Sequence, residues 1–267
     1  MNNENNNDSQ QSSETEYYFE CDKKTNIGIK KWRDGSYFIG LFNNNLANGW
    51  GIYYHYDSEI FRGQFINNQA NGYGEYLHKN GFKNIGFWEN DTQIGIGYEI
   101  MGDSCFYSGE FFNGKKNGIG VYKWSDNNKY KGEIKNNFFN GYGIYIYNDG
   151  RKYCGHWKNN HIDGFGEMSW IEGNKYIGYY KNDKKDGFGF YYSPQDIIFI
   201  GFWKKGKQDG FGKCMNKNKI KYGIWNIGKI IKKYKNENDF YNDLKINNIK
   251  DSIFKWDINK IKYFLEI

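Results

Sequence analysis

The chain has 267 residues, a formal net charge of +6, 46 Tyr and Phe, 9 Trp and 34 Gly, but one Val (Val121), two Ala (Ala47 and Ala70) and one Pro (Pro194). That composition excludes an ordinary aliphatic core: apolar surface has to come from rings, and rings alternating with residues that lack a side chain suit strands whose aromatics lie over bare backbone. No stretch approaches the roughly 20 uninterrupted apolar residues of a spanning helix. Cys21, Cys105, Cys154 and Cys214 are widely spaced, with no Cys-x-x-Cys pair, which argues against a disulfide framework or a zinc site and for a reducing, cytoplasmic compartment.

In chain order, residues 1–25 come first. They are polar and acidic, with Glu4, Asp8, Glu14, Glu16, Glu20 and Asp22 against Lys23 and Lys24, and they lack the apolar centre of a signal peptide, so they read as a disordered tail. Asn2 excludes N-myristoylation. The heavy use of Asn and Lys matches the bias of an AT-rich coding sequence, so single polar residues carry little weight.

Residues 26–231 carry a repeat of period 23, and a fixed period changes the whole fold reading. Full units span 38–60, 61–83, 84–106, 107–129, 130–152, 153–175, 176–198 and 199–221. Each has the form aromatic-x-Gly-x-apolar, six loop residues, then Gly-x-Gly and a second apolar run. In the first strand, positions 1 and 5 share a face with the Gly between them, so Tyr153 and Trp157 flank a bare spot at Gly155 where a ring from the adjacent strand can lie. Gly164 and Gly166 repeat the device in the second strand, and Gly178, Gly201 and Trp203 continue it in the next units. Asp149-Gly150 supplies the turn into the next unit. One unit is one antiparallel hairpin that buries its aromatic face only against neighbours. The expectation is therefore an all-β, elongated, single-layer antiparallel hairpin array, about 75 Å long at two strands of about 4.8 Å per unit.

The pattern, as in Tyr153-Cys-Gly155-His-Trp157 followed by Gly164-Phe-Gly166, resembles the MORN (membrane occupation and recognition nexus) repeat family over about three quarters of the chain. Half-units flank the array at Gly28 with Asp34-Gly35 and at Tyr222-Gly223-Ile224-Trp225. Asn84 and Ile134 replace expected aromatics, and the Pro194 unit lacks Asp-Gly, which puts local regularity in doubt. The resemblance implies scaffold proteins at membrane junctions and in ciliary and cytoskeletal structures, or regulatory modules of phosphoinositide kinases and a methyltransferase. Residues 232–267 read as a helical C-terminal segment in which Ile258, Ile261 and Leu265 share a face after an Asp257 cap. Trp256-Asp-Ile also looks like the opening of a SAM domain, although the rest of such a domain does not follow.

No catalytic constellation is legible, and no cofactor or metal site is expected. Asp163-Gly-Phe-Gly, Asp186-Gly-Phe-Gly and Asp209-Gly-Phe-Gly superficially match kinase metal-binding motifs, but they recur with the repeat and lack their companion motifs. His55 and His78 occupy equivalent positions about 9–10 Å apart, too far for one metal ion, and they read as surface residues, while His156 and His161 lie near a hairpin end without a Cys or carboxylate cluster. Charge is more informative. Residues 204–235 hold eleven lysines and one acid, Asp209. Lys204, Lys205, Lys207, Lys217, Lys219, Lys221, Lys232 and Lys233 are therefore candidates for binding anionic phospholipid. Nucleic acid is disfavoured because the rings are already needed for packing. The reading is a non-catalytic scaffold that binds protein partners or a second copy of itself and docks peripherally on membrane or cytoskeleton. A regulatory or lipid-binding module associated with an enzyme is the alternative, and the 36 residues after position 231 fall well short of the roughly 100 of a typical domain.

Overall fold

The computed structural model describes residues 16–217 and 219–254; the Asp257 cap, its apolar face and the SAM-like opening at Trp256 lie outside them. The chain divides between Ser125 and Asp126 into two compact units. In the first, ten strands succeed one another, β1 (Glu16–Cys21), β2 (Ile27–Trp32), β3 (Tyr37–Asn43), β4 (Leu46–Tyr54) and β5 (Ile60–Ile66), then β6 (Gln69–Leu77), β7 (Lys83–Glu89), β8 (Thr92–Ile100), β9 (Phe106–Phe112) and β10 (Lys115–Lys123). Each pairs antiparallel with the next. The second unit repeats the scheme from β11 (Lys129–Lys135) through β12 (Phe138–Ile146), β13 (Lys152–Lys158), β14 (His161–Ser169) and β15 (Lys175–Lys181). It continues through β16 (Lys184–Ser193), β17 (Ile197–Lys204), β18 (Lys207–Asn216), β19 (Lys219–Asn226) and β20 (Lys229–Lys233) to helix α1 (Glu237–Ile246) and a 3₁₀ turn (Asp251–Phe254).

The loop inside each repeat is shorter than the pattern suggests. Of the six residues between the apolar position 5 and the first Gly, only two form a turn, and the others extend the strands. Asn159 and Asn160 adopt φ of 49° and 67°, as do Asn67 and Asn68 (49° and 69°) and Asn136 and Asn137 (51° and 69°). Two consecutive left-handed residues make a type I′ hairpin, which matches strand twist and favours Asn. The second turn residue also ties hairpins together: Asn160 Oδ1 accepts the Phe139 amide of the preceding unit at 2.7 Å, and Asp183, with φ of 65°, accepts that of Ile162 through Oδ1 at 2.7 Å. These polar residues are structural rather than products of compositional bias alone.

The two glycines of Gly-x-Gly do different jobs. Position 12 has φ near +105° (Gly49 104°, Gly164 110°, Gly210 105°) and accompanies a register shift, so it forms a β-bulge rather than a packing site. Position 14 faces Gly at position 3 on both neighbours. An unbroken file runs from Gly28 through Gly40, Gly51 and Gly63 to Gly120 in the first unit, and from Gly132 through Gly155 and Gly166 to Gly223 in the second. Except in the unit of Asn84, the ring over the pair within a hairpin comes from position 1 of the same hairpin, two residues before the Gly, and not from the adjacent strand. Tyr153 is completely buried there, and its hydroxyl donates to His156 O at 3.0 Å. Tyr107, Tyr130 and Tyr176 repeat that bond to Glu110, Glu133 and Tyr179 at 2.9, 2.8 and 3.1 Å. Position 5 links the hairpins: Trp157 meets Tyr153 and the preceding unit's Tyr130 edge-on at 5.3 and 5.6 Å. Its indole donates to Gly143 O at 3.3 Å, and Trp203 repeats this to Gly189 O at 3.4 Å.

Two departures from expectation have physical causes. Glu16–Cys21, read as part of a disordered tail, pairs with β2, because an open ladder edge needs a partner strand and the Phe19 ring packs on Phe42 at 5.0 Å. Where Asn84 replaces the position 1 ring, its amide donates to Gln93 Oε1 at 2.9 Å and its Oδ1 meets His78 Nε2 at 2.8 Å, so a polar network fills the space. At the other end, α1 is capped by Asn236, whose side chain accepts the Asp239 amide, and Phe240, Leu244 and Phe254 cover Ile198, Ile200, Phe211 and Met215. That cover lies on the face opposite the glycine file.

Candidate partner-binding trough and basic edge

The face carrying the glycine file also presents position 10, which sits across from position 5 in the ladder. In six units it bears a filling side chain: Gln93, Lys116, Phe139, Ile162, Lys185 and Gln208. In the first two it is Ala47 and Ala70, the chain's only alanines. There the first unit opens a cavity of 520 Å³ walled by Trp32, Tyr53, His55, Tyr76 and Trp88 with Asp91 at its rim. The walls are successive ring contacts: Trp32 to Tyr53 at 5.4 Å, Tyr53 to His55 at 4.5 Å, His55 to Tyr76 at 5.5 Å and Tyr76 to Trp88 at 6.1 Å. Asp91 Oδ1 accepts the Ala70 amide at 2.7 Å, and Glu59 accepts the Tyr76 hydroxyl, a bond that holds the Glu59 carboxyl below its usual range. Burial pushes the His55 imidazole down, while Asp57, Glu59, Asp34 and Asp91 act in the opposite sense.

His55 and His78 are thus half-buried members of this wall and its surroundings, not the surface residues read from sequence; His156 and His161 are exposed. His78 contacts Glu59 through Nδ1 at 3.4 Å, and His161 contacts Asp183 at 2.6 Å. Among the described residues no group of three or more His, Cys, Asp or Glu could hold a metal ion, and no helix is long and apolar enough to cross a membrane. The four cysteines are unpaired and partly buried.

The candidate lysines do not form one patch. Lys204, Lys205, Lys207, Lys217, Lys219, Lys221, Lys232 and Lys233 are all exposed, but Lys204, Lys205 and Lys207 flank the β17–β18 turn while Lys217 and Lys219 flank the opposite end of β18. At about 3.3 Å per residue, the length of β18 separates these groups by about 30 Å. Lys232 is paired to Asp243 at 2.6 Å. Repeat register reveals what a run along the chain concealed: position 6 is Lys135, Lys158, Lys181 and Lys204 in four consecutive hairpins, all exposed along one edge, with Lys184, Lys205 and Lys207 beside them. The packing residues Gly155, Trp157, Gly166, Gly178, Gly201 and Trp203 lie on the glycine-file face, and Gly164 is in a bulge.

Against known proteins, the MORN repeat profile matches residues 61–82, 107–129, 130–150, 153–175, 176–196 and 199–218. It passes over the units at 38–60 and 84–106. A comparison with curated proteins yields no match. Solved structures similar to the chain include the TCP domain of Drosophila melanogaster SAS-4 in complex with a proline-rich motif of Ana2, at 9% identity and a TM-score of 0.36, covering 59% of this chain and 86% of that one. The TCP10 domain of Danio rerio CPAP with a STIL peptide is similar at 10% identity and a TM-score of 0.36, covering 82% and 99%. What those domains bind is a property of those domains. With the period, the glycine file and the profile in agreement, the chain belongs to the MORN-repeat family.

Proposed function

We propose that the protein is a non-catalytic cytoplasmic scaffold that binds a protein partner in the trough over Ala47 and Ala70 and docks on anionic membrane through its lysine edge. The observation that carries the first half is the aromatic-walled cavity of 520 Å³ on a face that every other hairpin fills with its own position 10 side chain. Open, ring-lined concavities with a few fixed polar groups are the usual form of a recognition site. The second half is supported by the file Lys135, Lys158, Lys181 and Lys204, because each lysine near an anionic leaflet contributes about 1 kcal/mol.

Filling the trough tests the first half. The double variant Ala47→Phe/Ala70→Phe gives these units the side chain that the fifth carries at Phe139, stacked 3.7 Å from Tyr130. Partners captured by the wild-type protein should be lost from this variant while its urea midpoint stays put. Retention of the same partners would overturn the trough as the binding surface.

A further inference from the structure

The side chains that fill position 10 elsewhere disclose what the empty trough accepts. In the seventh hairpin, Lys185 Nζ lies inside a box of four rings, 5.1 Å from Trp170, 4.6 Å from Tyr176, 5.0 Å from Tyr191 and 4.8 Å from Trp203. In the fourth, Lys116 Nζ lies 5.3 Å from Tyr107 and 5.2 Å from Tyr122 and meets Glu99 at 2.7 Å. Ring faces attract an ammonium most strongly when water is excluded. The repeat register maps the Lys185 box onto His55, Phe61, Tyr76 and Trp88 around Ala70, and onto Trp32, Phe38, Tyr53 and Phe65 around Ala47. All eight line the single cavity of 520 Å³.

We infer that the box over Ala70 is a receptor for the ammonium of a lysine side chain on a partner polypeptide, a cation standing where Lys185 supplies its own in the seventh hairpin. The walls match, with Phe61 and Trp88 in edge-on contact at 5.2 Å and Tyr76 between His55 and Trp88. The charge also matches, since Asp91 and Asp34 line the same cavity and Glu59 is bonded to the Tyr76 hydroxyl. The Ala47 box differs: Lys30 Nζ already sits 5.9 Å from the Trp32 ring and donates to Asn45 O at 3.3 Å, so a cation of the chain borders it. Neighbouring boxes are two strands apart, about 10 Å, which is close to the spacing of residues i and i+3 in a polyproline II segment, where three residues per turn put both side chains on one face. The peptide that fits therefore places its lysine over Ala70 and an apolar side chain over Ala47.

This inference rests on the trough as a partner site and names the chemistry it recognises, so its test uses a defined probe rather than a captured partner. The probe is the blocked peptide Leu-Gly-Gly-Lys, compared with the same peptide carrying norleucine for lysine, titrated into the intact protein while the Trp88 and Trp203 indole resonances are followed. The lysine peptide should shift Trp88, and norleucine should weaken binding by about 2- to 30-fold. Ala70→Lys, or Ala70→Gln if the lysine variant does not fold, should abolish the Trp88 response. Lys185→Ala should open a second box and make Trp203 respond to the lysine peptide. Equal affinity for the norleucine peptide, binding that survives Ala70→Lys or Ala70→Gln, or a Trp203 that stays silent in folded Lys185→Ala would each overturn the lysine receptor. Partner capture lost on filling the trough would still stand if the peptide failed, which separates the two claims.

Discussion

Gly166→Ala tests the packing logic of the whole array. A Cβ added there would lie 2.6 Å from Tyr153 Cζ and 2.7 Å from Cε2. The ring cannot step aside easily, since it is completely buried and held edge-on between Trp157 at 5.3 Å and Tyr180 at 5.5 Å. Overpacking of this kind costs about 1–3 kcal/mol, and displacing the ring also loses the hydroxyl bond to His156 O, about 1 kcal/mol. Against that, Ala removes about 0.5–1 kcal/mol of unfolded-chain freedom, leaving a net loss of about 1–3 kcal/mol. In urea, followed by aromatic fluorescence, the midpoint should fall by about 1 M at a slope of about 2 kcal/mol/M. Gly81→Asn is the control: its φ is +84° with nothing within 4 Å of a Cβ, and Asn tolerates that conformation, so it should be neutral. Adding Tyr153→Phe to Gly166→Ala removes the atom nearest the clash and should recover about 1 kcal/mol. A Gly166→Ala protein within about 0.5 kcal/mol of wild type, against the calculated overpacking cost, would refute the claim that the glycine file exists to admit the position 1 rings.

Tyr180 Oη is buried with no hydrogen-bond partner among the described residues, so Tyr180→Phe should stabilise the protein by about 1 kcal/mol in the same urea assay. Changing Lys135, Lys158, Lys181 and Lys204 to Gln should weaken co-sedimentation with phosphatidylserine vesicles at least tenfold, whereas Lys217, Lys219 and Lys221 changed to Gln, on the opposite edge, should have little effect; high salt should weaken binding of the wild type. Burial alone pushes the Lys185 ammonium down to about 8, whereas the box over Ala70 adds Asp34, Asp91 and Glu59 to its rings, and these favour an ammonium there. Because the folded state then releases the Lys185 proton more readily than the unfolded chain, stability is reduced below the folded value and should rise by about 1 kcal/mol from pH 7 to pH 9. That rise should disappear in Lys185→Met, measured by urea midpoint at each pH; an unchanged pH dependence would contradict the buried position.

Much of the fold is legible because period-23 glycines admit one ladder register, and Gly155 opposite Gly166 follows from it. The distinct role of Gly164 is not, since a bulge and a packing site both select Gly and only backbone geometry separates them. Asn159 and Asn160 look like compositional drift until the type I′ turn shows that they take left-handed φ and cap the neighbouring hairpin. Glu16–Cys21 misleads because acidity suggests disorder, whereas pairing to β2 depends on the open edge of the ladder rather than on local charge. Ala47 and Ala70 are conspicuous in composition, but their meaning lies in side chains they lack relative to Lys116 and Lys185. The lysines at position 6 are visible only when charge is counted by repeat position instead of along the chain.

The most direct test of partner binding is site-specific photocrosslinking in the cells that make the protein, with a photoreactive phenylalanine replacing His55 on the trough wall, where a ring already stands, or Gly81 in an open turn. A partner-binding trough predicts a discrete crosslinked partner from position 55 and none from position 81, with a lysine-containing segment of the partner at the attachment point. No crosslink from position 55, or the same products from both positions, would contradict a partner-binding trough.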